Sequence, residues 1–229
     1  MKIKMIAGLA GGLLFFTACT NKKTEPAGME AMPVYAEYQV WGEEMENNIT
    51  VLLQFHDFNR NGETLVLNDP AKVEFDGKKL EPDSTRLTGA YYELQVPVDS
   101  FAGEHHIVFT NLNNEALADT FYFTPLTLTD SLPPAINRSD FSIGFGGVKD
   151  GDLIRVVATD TSFTSRDINE VDTISNHSIT ITKDQLKNLA DGPVRLEFYR
   201  EESRRLGSRA AARGHFTLTY GLKRQVLLK

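Results

Sequence analysis

The sequence of 229 residues contains a single cysteine, Cys19, and a single tryptophan, Trp41. One cysteine rules out a disulfide within the chain, so the fold must be held by its apolar cores. Outside residues 5–16 no stretch approaches the 18 or more apolar residues of a membrane-spanning helix. The histidines lack zinc-type spacing. His105 and His106 are adjacent, which on a strand points them to opposite faces, and His56, His177 and His215 are isolated. There is no G-x-S-x-G nucleophile elbow, and no helix is expected after Gly144, Gly146 and Gly147 to complete a phosphate loop. Neither an enzyme nor a cofactor is therefore expected. Basic residues are scarce in the middle of the chain, with 11 against 27 acidic ones between residues 30 and 192. The net charge of −7 argues against a nucleic-acid partner.

Residues 1–18 carry a basic start (Lys2, Lys4), an apolar run from Met5 to Phe16 and a small residue, Ala18, before Cys19. That layout is the pattern of a secretory signal peptide. Phe16-Thr17-Ala18-Cys19 resembles the bacterial lipobox, with Phe16 standing where leucine is usual. The resemblance implies cleavage before Cys19, leaving 211 residues, and lipidation of Cys19 with diacylglycerol and acyl (palmitate-type) chains. At ~0.8 kcal/mol per buried methylene, two or three such chains make a lasting membrane anchor. Residues 19–33 are polar, contain Pro and Gly, and read as a flexible tether.

From residue 34 onward period-2 alternation dominates. Ile49, Val51, Leu53 and Phe55 share one strand face; Tyr92, Leu94 and Val96 repeat the pattern, as do Ile107 with Phe109 and, more loosely, Leu117, Asp119, Phe121 and Phe123. Turn chemistry separates these runs at Asn61-Gly62, Asp76-Gly77, Thr88-Gly89 and Ala102-Gly103. The expected fold class is all-β, with two tandem immunoglobulin-like β-sandwich domains at residues 34–125 and 138–229. Residues 126–137, with Pro133-Pro134, are expected to form a proline-containing joint between them. In the second half Phe141, Ile143 and Phe145, then Ile154 and Val156, then Val194, Leu196 and Phe198, and last Phe216, Leu218 and Tyr220 alternate inward. Thr182 and Gln185 form a capping box for one short helical turn.

Several residues are candidates for chemistry. Asp57, Asn59, Asn61 and Glu63 match the front half of a calcium loop, but the twelfth position is Asn68 and no helix flanks them. A plain turn using Asn61-Gly62 for positive φ is the simpler reading, so no metal is expected. Tyr35, Tyr38, Trp41 and Tyr91 are aromatics able to stack on sugar rings or to serve as ordinary core and edge cover, and the second role is preferred. Between Pro193 and Lys229 there are nine basic and three acidic residues, an end able to approach anionic lipid, lipopolysaccharide or peptidoglycan. Its arginines 195, 200, 204, 205, 209 and 213 are expected around an inter-strand loop, pairing internally with Glu197, Glu201 and Glu202.

The segment SITITKDQLKNLADGPVRLEFYRE, followed by GHFTLTY, resembles a pattern recurring in immunoglobulin-like domains of Bacteroidota envelope lipoproteins, over roughly residues 139–220. The resemblance concerns fold and lineage and brings no catalytic residue. Ser84, Ser131 and Thr173 lie in sequences similar to the D-[ST]-apolar sites of bacterial O-glycosylation in that group. The expectation is a lipid-anchored, non-enzymatic cell-envelope protein that binds, spaces or assembles. It would be attached to the outer membrane through Cys19, with an outer-membrane protein or a glycan as partner. The alternative is a surface-exposed carbohydrate-binding or adhesion lipoprotein. Thr20-Asn21-Lys22-Lys23 after Cys19 is not an acidic run, which favours the periplasmic face over the cell surface.

Overall fold

The computed structural model describes residues 34–162, 165–206 and 212–229. The signal peptide, Cys19, the tether and Arg209 lie outside the described residues.

The first sandwich is built from β1 (Val34–Glu43), β2 (Asn48–Asp57), β3 (Lys72–Phe75), β4 (Lys78–Lys79), β5 (Pro82–Thr85), β6 (Gly89–Pro97), β7 (Gly103–Thr110) and β8 (Ala116–Phe123). Alternation along β2 removes Ile49, Val51, Leu53 and Phe55 from solvent completely, each at 0 % exposure. The strands order as β1-β2-β6-β5 in one sheet and β4-β3-β7-β8 in the other. Phe55 of β2 meets Phe109 of β7 at 4.8 Å between ring centroids, joining the two layers. This is immunoglobulin order, four strands facing four. Asp76 and Gly77, at φ 48° and 78°, make the two-residue hairpin between β3 and β4 that the sequence suggests.

The second sandwich contains β9 (Thr127–Leu128), β10 (Ala135–Ile136), β11 (Phe141–Gly146), β12 (Leu153–Asp160), β13 (Ile168–Thr173), β14 (Ser178–Ile181), β15 (Gly192–Arg205) and β16 (Ala212–Leu228). One layer runs β14-β11-β9; the other runs β13-β12-β15-β16, with β10 added in parallel to the end of β16. Phe145 packs edge-on against Phe198 across the gap. The capping box forms as expected, with Thr182 and Gln185 exchanging bonds at the start of α1 (Lys183–Leu186). Arg138 then fastens the end of this turn, donating to the carbonyls of Leu186 and Leu189 and to the carboxylate of Asp191.

Two features depart from the expected layout. Residues 126–137, expected as a proline-containing joint, also carry strand pairing: β9 pairs with β11, β10 pairs with β16, and Leu126 and Ile136 are buried. The loop expected around the arginines is largely strand, since β15 continues through Arg205. The overhanging parts of β15 and β16 form a hairpin that reaches the first sandwich. There β16 pairs in parallel with β1 over ten residues, from Val34 opposite Ala212 to Glu43 opposite Gly221. One sheet therefore runs through both sandwiches.

The inward face of β16 serves two cores in turn. Phe216 sits 5.0 Å from Phe121, and Tyr220 sits 5.4 Å from Phe123, both in the first sandwich. Leu222, Val226 and Leu228 then fall on the second. The inward row of β15 changes from Val194, Leu196 and Phe198 to Arg200, Glu202 and Arg204 where it leaves its own core. Arg204 donates to Asp119 and to the Thr120 carbonyl at 3.0 Å each, and its guanidinium lies 4.5 Å above the Phe216 ring. Arg200 donates to the Gly147 carbonyl at 3.0 Å. The arginines thus bond one carboxylate oxygen of Asp119 and the carbonyls along the seam, where apolar side chains would leave them unpaired.

Because Phe216 belongs to β16 yet fills the first core, Phe216→Ala should destabilise the first sandwich by about 3–4 kcal/mol. Urea unfolding followed by Trp41 fluorescence, and hydrogen exchange of the β12 amides, should report one shared transition that shifts together in this variant.

Candidate functional site

The shared sheet has an outer face on which the odd-numbered residues of β1 stand: Tyr35, Glu37, Gln39, Trp41 and Glu43. Register places Thr50 of β2 and Thr219 of β16 on either side of Trp41. Gln39, the next residue outward on β1, lies between Leu52 and Thr217, and Gln95 of β6 lies opposite Thr50. Trp41 is 38 % exposed, and its indole N–H makes no hydrogen bond to the described residues. Around the ring stand the hydroxyls of Thr50 and Thr219, the amide of Gln39 and the side chain of Leu52, and Glu43 follows two residues along β1 on the same face. The neighbouring carboxylates are paired. Lys223 holds both carboxylate oxygens of Glu43 at 2.6 Å, and Arg155 holds Glu201 at 2.9 Å. Tyr199 fills the space left by the absent side chain of Gly221, and its hydroxyl donates to Glu197. Burial, then that bond and the carboxylate charge, push its phenol above the usual range.

The aromatics singled out at three-residue steps divide between the two faces, as strand periodicity dictates. Tyr35 and Trp41 stand outside, while Tyr38 is buried among the core rings, 6.1 Å from Phe55. Burial, and then the charge of Asp119, raise the Tyr38 phenol above its ordinary value. Tyr91 also faces outward and donates to Asp83 at 3.2 Å.

The Asp57–Glu63 segment closes on itself. The Asp57 N–H donates to the Glu63 carbonyl at 2.9 Å, and the Asn61 N–H donates to the Asn59 side-chain oxygen at 2.9 Å. Two of the oxygens a cation would need are thus engaged within the turn. The positive φ expected of Asn61-Gly62 occurs instead at Phe58, φ 64°. Gly62 is required for another reason: a Cβ there would lie 1.8 Å from the Asp57 carbonyl oxygen. Among the described residues no group of three His, Cys, Asp or Glu side chains could hold a metal ion.

His105 and His106 do face opposite sides of their strand. His105 is buried between Phe75 and Phe101, with its ring nitrogens 2.7 Å from Asp76 and 2.6 Å from the Phe101 carbonyl; His106 is exposed. Ser84, Ser131 and Thr173 are all exposed, with Ser84 on edge strand β5 and Thr173 at the end of edge strand β13. Arg195 pairs with Glu197 at 2.7 Å, and Arg204 with Asp119 and Glu202. Arg205 and Arg213 are exposed and have no ion pair among the described residues. Asp160 was not singled out by its sequence. It collects three hydrogen bonds, from the Ser165 hydroxyl and the Ala190 and Ser162 amides at 2.5–2.7 Å, fixing the connections around the second sandwich. The Ser165 bond foremost, and then the amides, hold its carboxyl below the usual value.

No family model matches the chain, and no curated protein does. Among solved structures it is similar to a tetra-tandem repeat from the extending region of a large adhesion protein, at 14 % identity and a TM-score of 0.26. That match covers 79 % of this chain, which spans only 56 % of the adhesion-protein structure. It is also similar to the two immunoglobulin domains of DIP-gamma, at 7 % identity, a TM-score of 0.24 and coverage of 82 % and 94 %. A third is SGBP-B of the Bacteroides ovatus mixed-linkage glucan utilization locus, solved with a mixed-linkage heptasaccharide. It matches at 12 % identity and a TM-score of 0.22, over 83 % of this chain and 60 % of that one.

A carboxyl group whose pKa is lowered by folding stabilises the native state above its unfolded value, near 4, and stops doing so as pH falls through the folded value. Asp160→Asn should therefore be less stable than the wild type at pH 7. Its stability should also fall less steeply between about pH 4 and 2 than that of the wild type, as measured by thermal melts across that window.

Proposed function

We propose that this chain is a lipid-anchored, non-enzymatic protein of the bacterial cell envelope, in which two immunoglobulin-like sandwiches act as one rigid spacer and binding module. The observation that carries this reading is the parallel ladder of ten residue pairs between β1 and β16. A hinge between the sandwiches would have to break that ladder and uncover Phe121 and Phe123. The pair therefore holds a fixed orientation and displays a surface at a set height. At ~3.3 Å per residue, the 17 residues of β16 alone extend roughly 55 Å.

Cys19 supplies the attachment, through diacylglycerol and acyl chains in the outer membrane, and the periplasmic leaflet is favoured. An outer-membrane protein or a glycan is the partner class. The exposure of Ser84, Ser131 and Thr173 supports their use as O-glycosylation sites. Trp41, with Gln39, Thr50, Thr217 and Thr219 around it and the nearby Glu43 neutralised by Lys223, favours a second reading, in which the outer face binds a neutral carbohydrate. An aromatic face stacks on sugar C–H groups while uncharged amides and hydroxyls bond its hydroxyls.

In cells fed a palmitate analogue, the wild-type chain should incorporate label and fractionate with outer membranes. Cys19→Ser should do neither, and a labelled Cys19→Ser chain would refute the anchor. For the second reading, Trp41→Ala should weaken retention in a gel containing a neutral polysaccharide by about tenfold, with unfolding stability unchanged; retention unaffected by the change would exclude Trp41 as the platform.

A further inference from the structure

Parallel pairing has a geometric consequence: the start of β1 and the start of β16 lie at the same end of the sheet. Asp57, the last residue of β2, is opposite Val34, so the 58–63 turn is there too. The turn between β5 and β6 joins them, because Gln54 donates to the Thr88 carbonyl, the Ala90 N–H donates to Thr64, and Thr64 bridges His56. The contact of Phe55 with Phe109 brings in the turn between β7 and β8. Each of these three turns carries a large apolar side chain pointing into solvent. Phe58 is 63 % exposed, Leu87 98 % and Leu112 63 %. Arg86, Arg205 and Arg213 are exposed at the same end without an ion pair among the described residues, whereas Arg60 is bound to Glu37 at 2.8 Å. Acidic groups are present as well: Asp57, Glu63 and Glu115, the last holding the Asn111 amide. At the opposite end, where β15 starts and β16 finishes, two large apolar side chains stand in solvent among the described residues: Leu227 on β16, and Met45 beside Pro193, Arg224 and Gln225.

We propose that this end of the first sandwich is a membrane-docking surface. Phe58, Leu87 and Leu112 enter the interfacial layer of the leaflet that holds the chain's own lipid, and Arg86, Arg205 and Arg213 meet anionic headgroups. The proposal rests on the lipidation of Cys19. The occupant follows from where the chain leaves the described structure: Val34 stands at this end, and the fifteen residues from Cys19 to Pro33 reach at most about 50 Å. A surface tethered that closely meets the bilayer at a high effective concentration, so three modest apolar tips and three cations suffice. A lone exposed leucine needs no explanation, but three apolar tips and three exposed arginines at the end where β1 begins do.

The test uses the full chain, exported and processed, reconstituted in vesicles of phosphatidylethanolamine and phosphatidylglycerol with brominated acyl chains. On a Trp41→Phe background, a reporter is placed by Leu87→Trp, Leu112→Trp or, at the far end, Leu227→Trp, all at exposed positions. The reporters at 87 and 112 should be quenched about twofold or more by brominated lipid, and the reporter at 227 hardly at all. Reversing two charges with Arg205→Glu and Arg213→Glu should abolish the quenching at 87 while the chain still floats with the vesicles. A chain that floats but shows no quenching at 87 and 112 overturns the docking surface and leaves the anchor standing. A chain that does not float overturns the anchor and the docking surface with it.

Discussion

The parallel ladder between β1 and β16 is the constraint from which the rest of the architecture follows. An immunoglobulin-like sandwich leaves its first strand at a sheet edge, with a row of unpaired amides and carbonyls. Here that edge is filled from within the chain by the overhang of the second sandwich's final hairpin. The ladder sets the register that brings Phe216 and Tyr220 over Phe121 and Phe123. It also aligns the outer faces of both sandwiches into one surface, with Trp41 on the strand at the seam.

The seam is built differently from the cores it joins. Inside each sandwich the contacts are aliphatic and aromatic, and they tolerate small adjustments. At the seam the β15 side chains are Arg200, Glu202 and Arg204, and their bonds are directional: Arg204 donates to Asp119, Thr120 and Glu202, and Arg200 to Gly147. Arg204 lies over the Phe216 ring while pairing with Asp119, so it combines apolar cover with charge neutralisation. Asp119 occupies the position in the inward row of β8 where an apolar residue would be expected. Its partner explains the interruption in the Leu117-Phe121-Phe123 pattern.

Much of the strand framework is legible in the sequence because strand burial writes itself as alternation. Ile49 to Phe55, Ile143 with Phe145, and Val194 to Phe198 are each read correctly from that period. The capping box at Thr182 is equally local, requiring two residues three apart. What escaped is non-local. The arginine-rich stretch after Phe198 reads as a loop because its apolar alternation stops, although its charged residues keep the same two-residue period through Arg204. Their partners lie about 80 residues away on β8 and cannot be seen from β15 alone. The short strands β9 and β10 are hidden by the prolines between them, since two-residue strands carry almost no periodic signal. For the outer face, the three-residue spacing of Tyr35, Tyr38 and Trp41 conceals that two point outward and one inward. Their separation becomes visible only once the segment is known to be a strand.

Strands that run side by side in the same direction respond to tension in a particular way. A pull between the Val34 end of β1 and the Leu228 end of β16 acts along both strands in opposite senses. The backbone bonds of the ladder, which lie across that direction, are then strained in parallel rather than peeled one after another. A chain fastened by its amino end and gripped at its far end would hold against such a force until ten residue pairs failed together. The pairing that fixes the two sandwiches at rest would thus also make them a stiff link under such a pull.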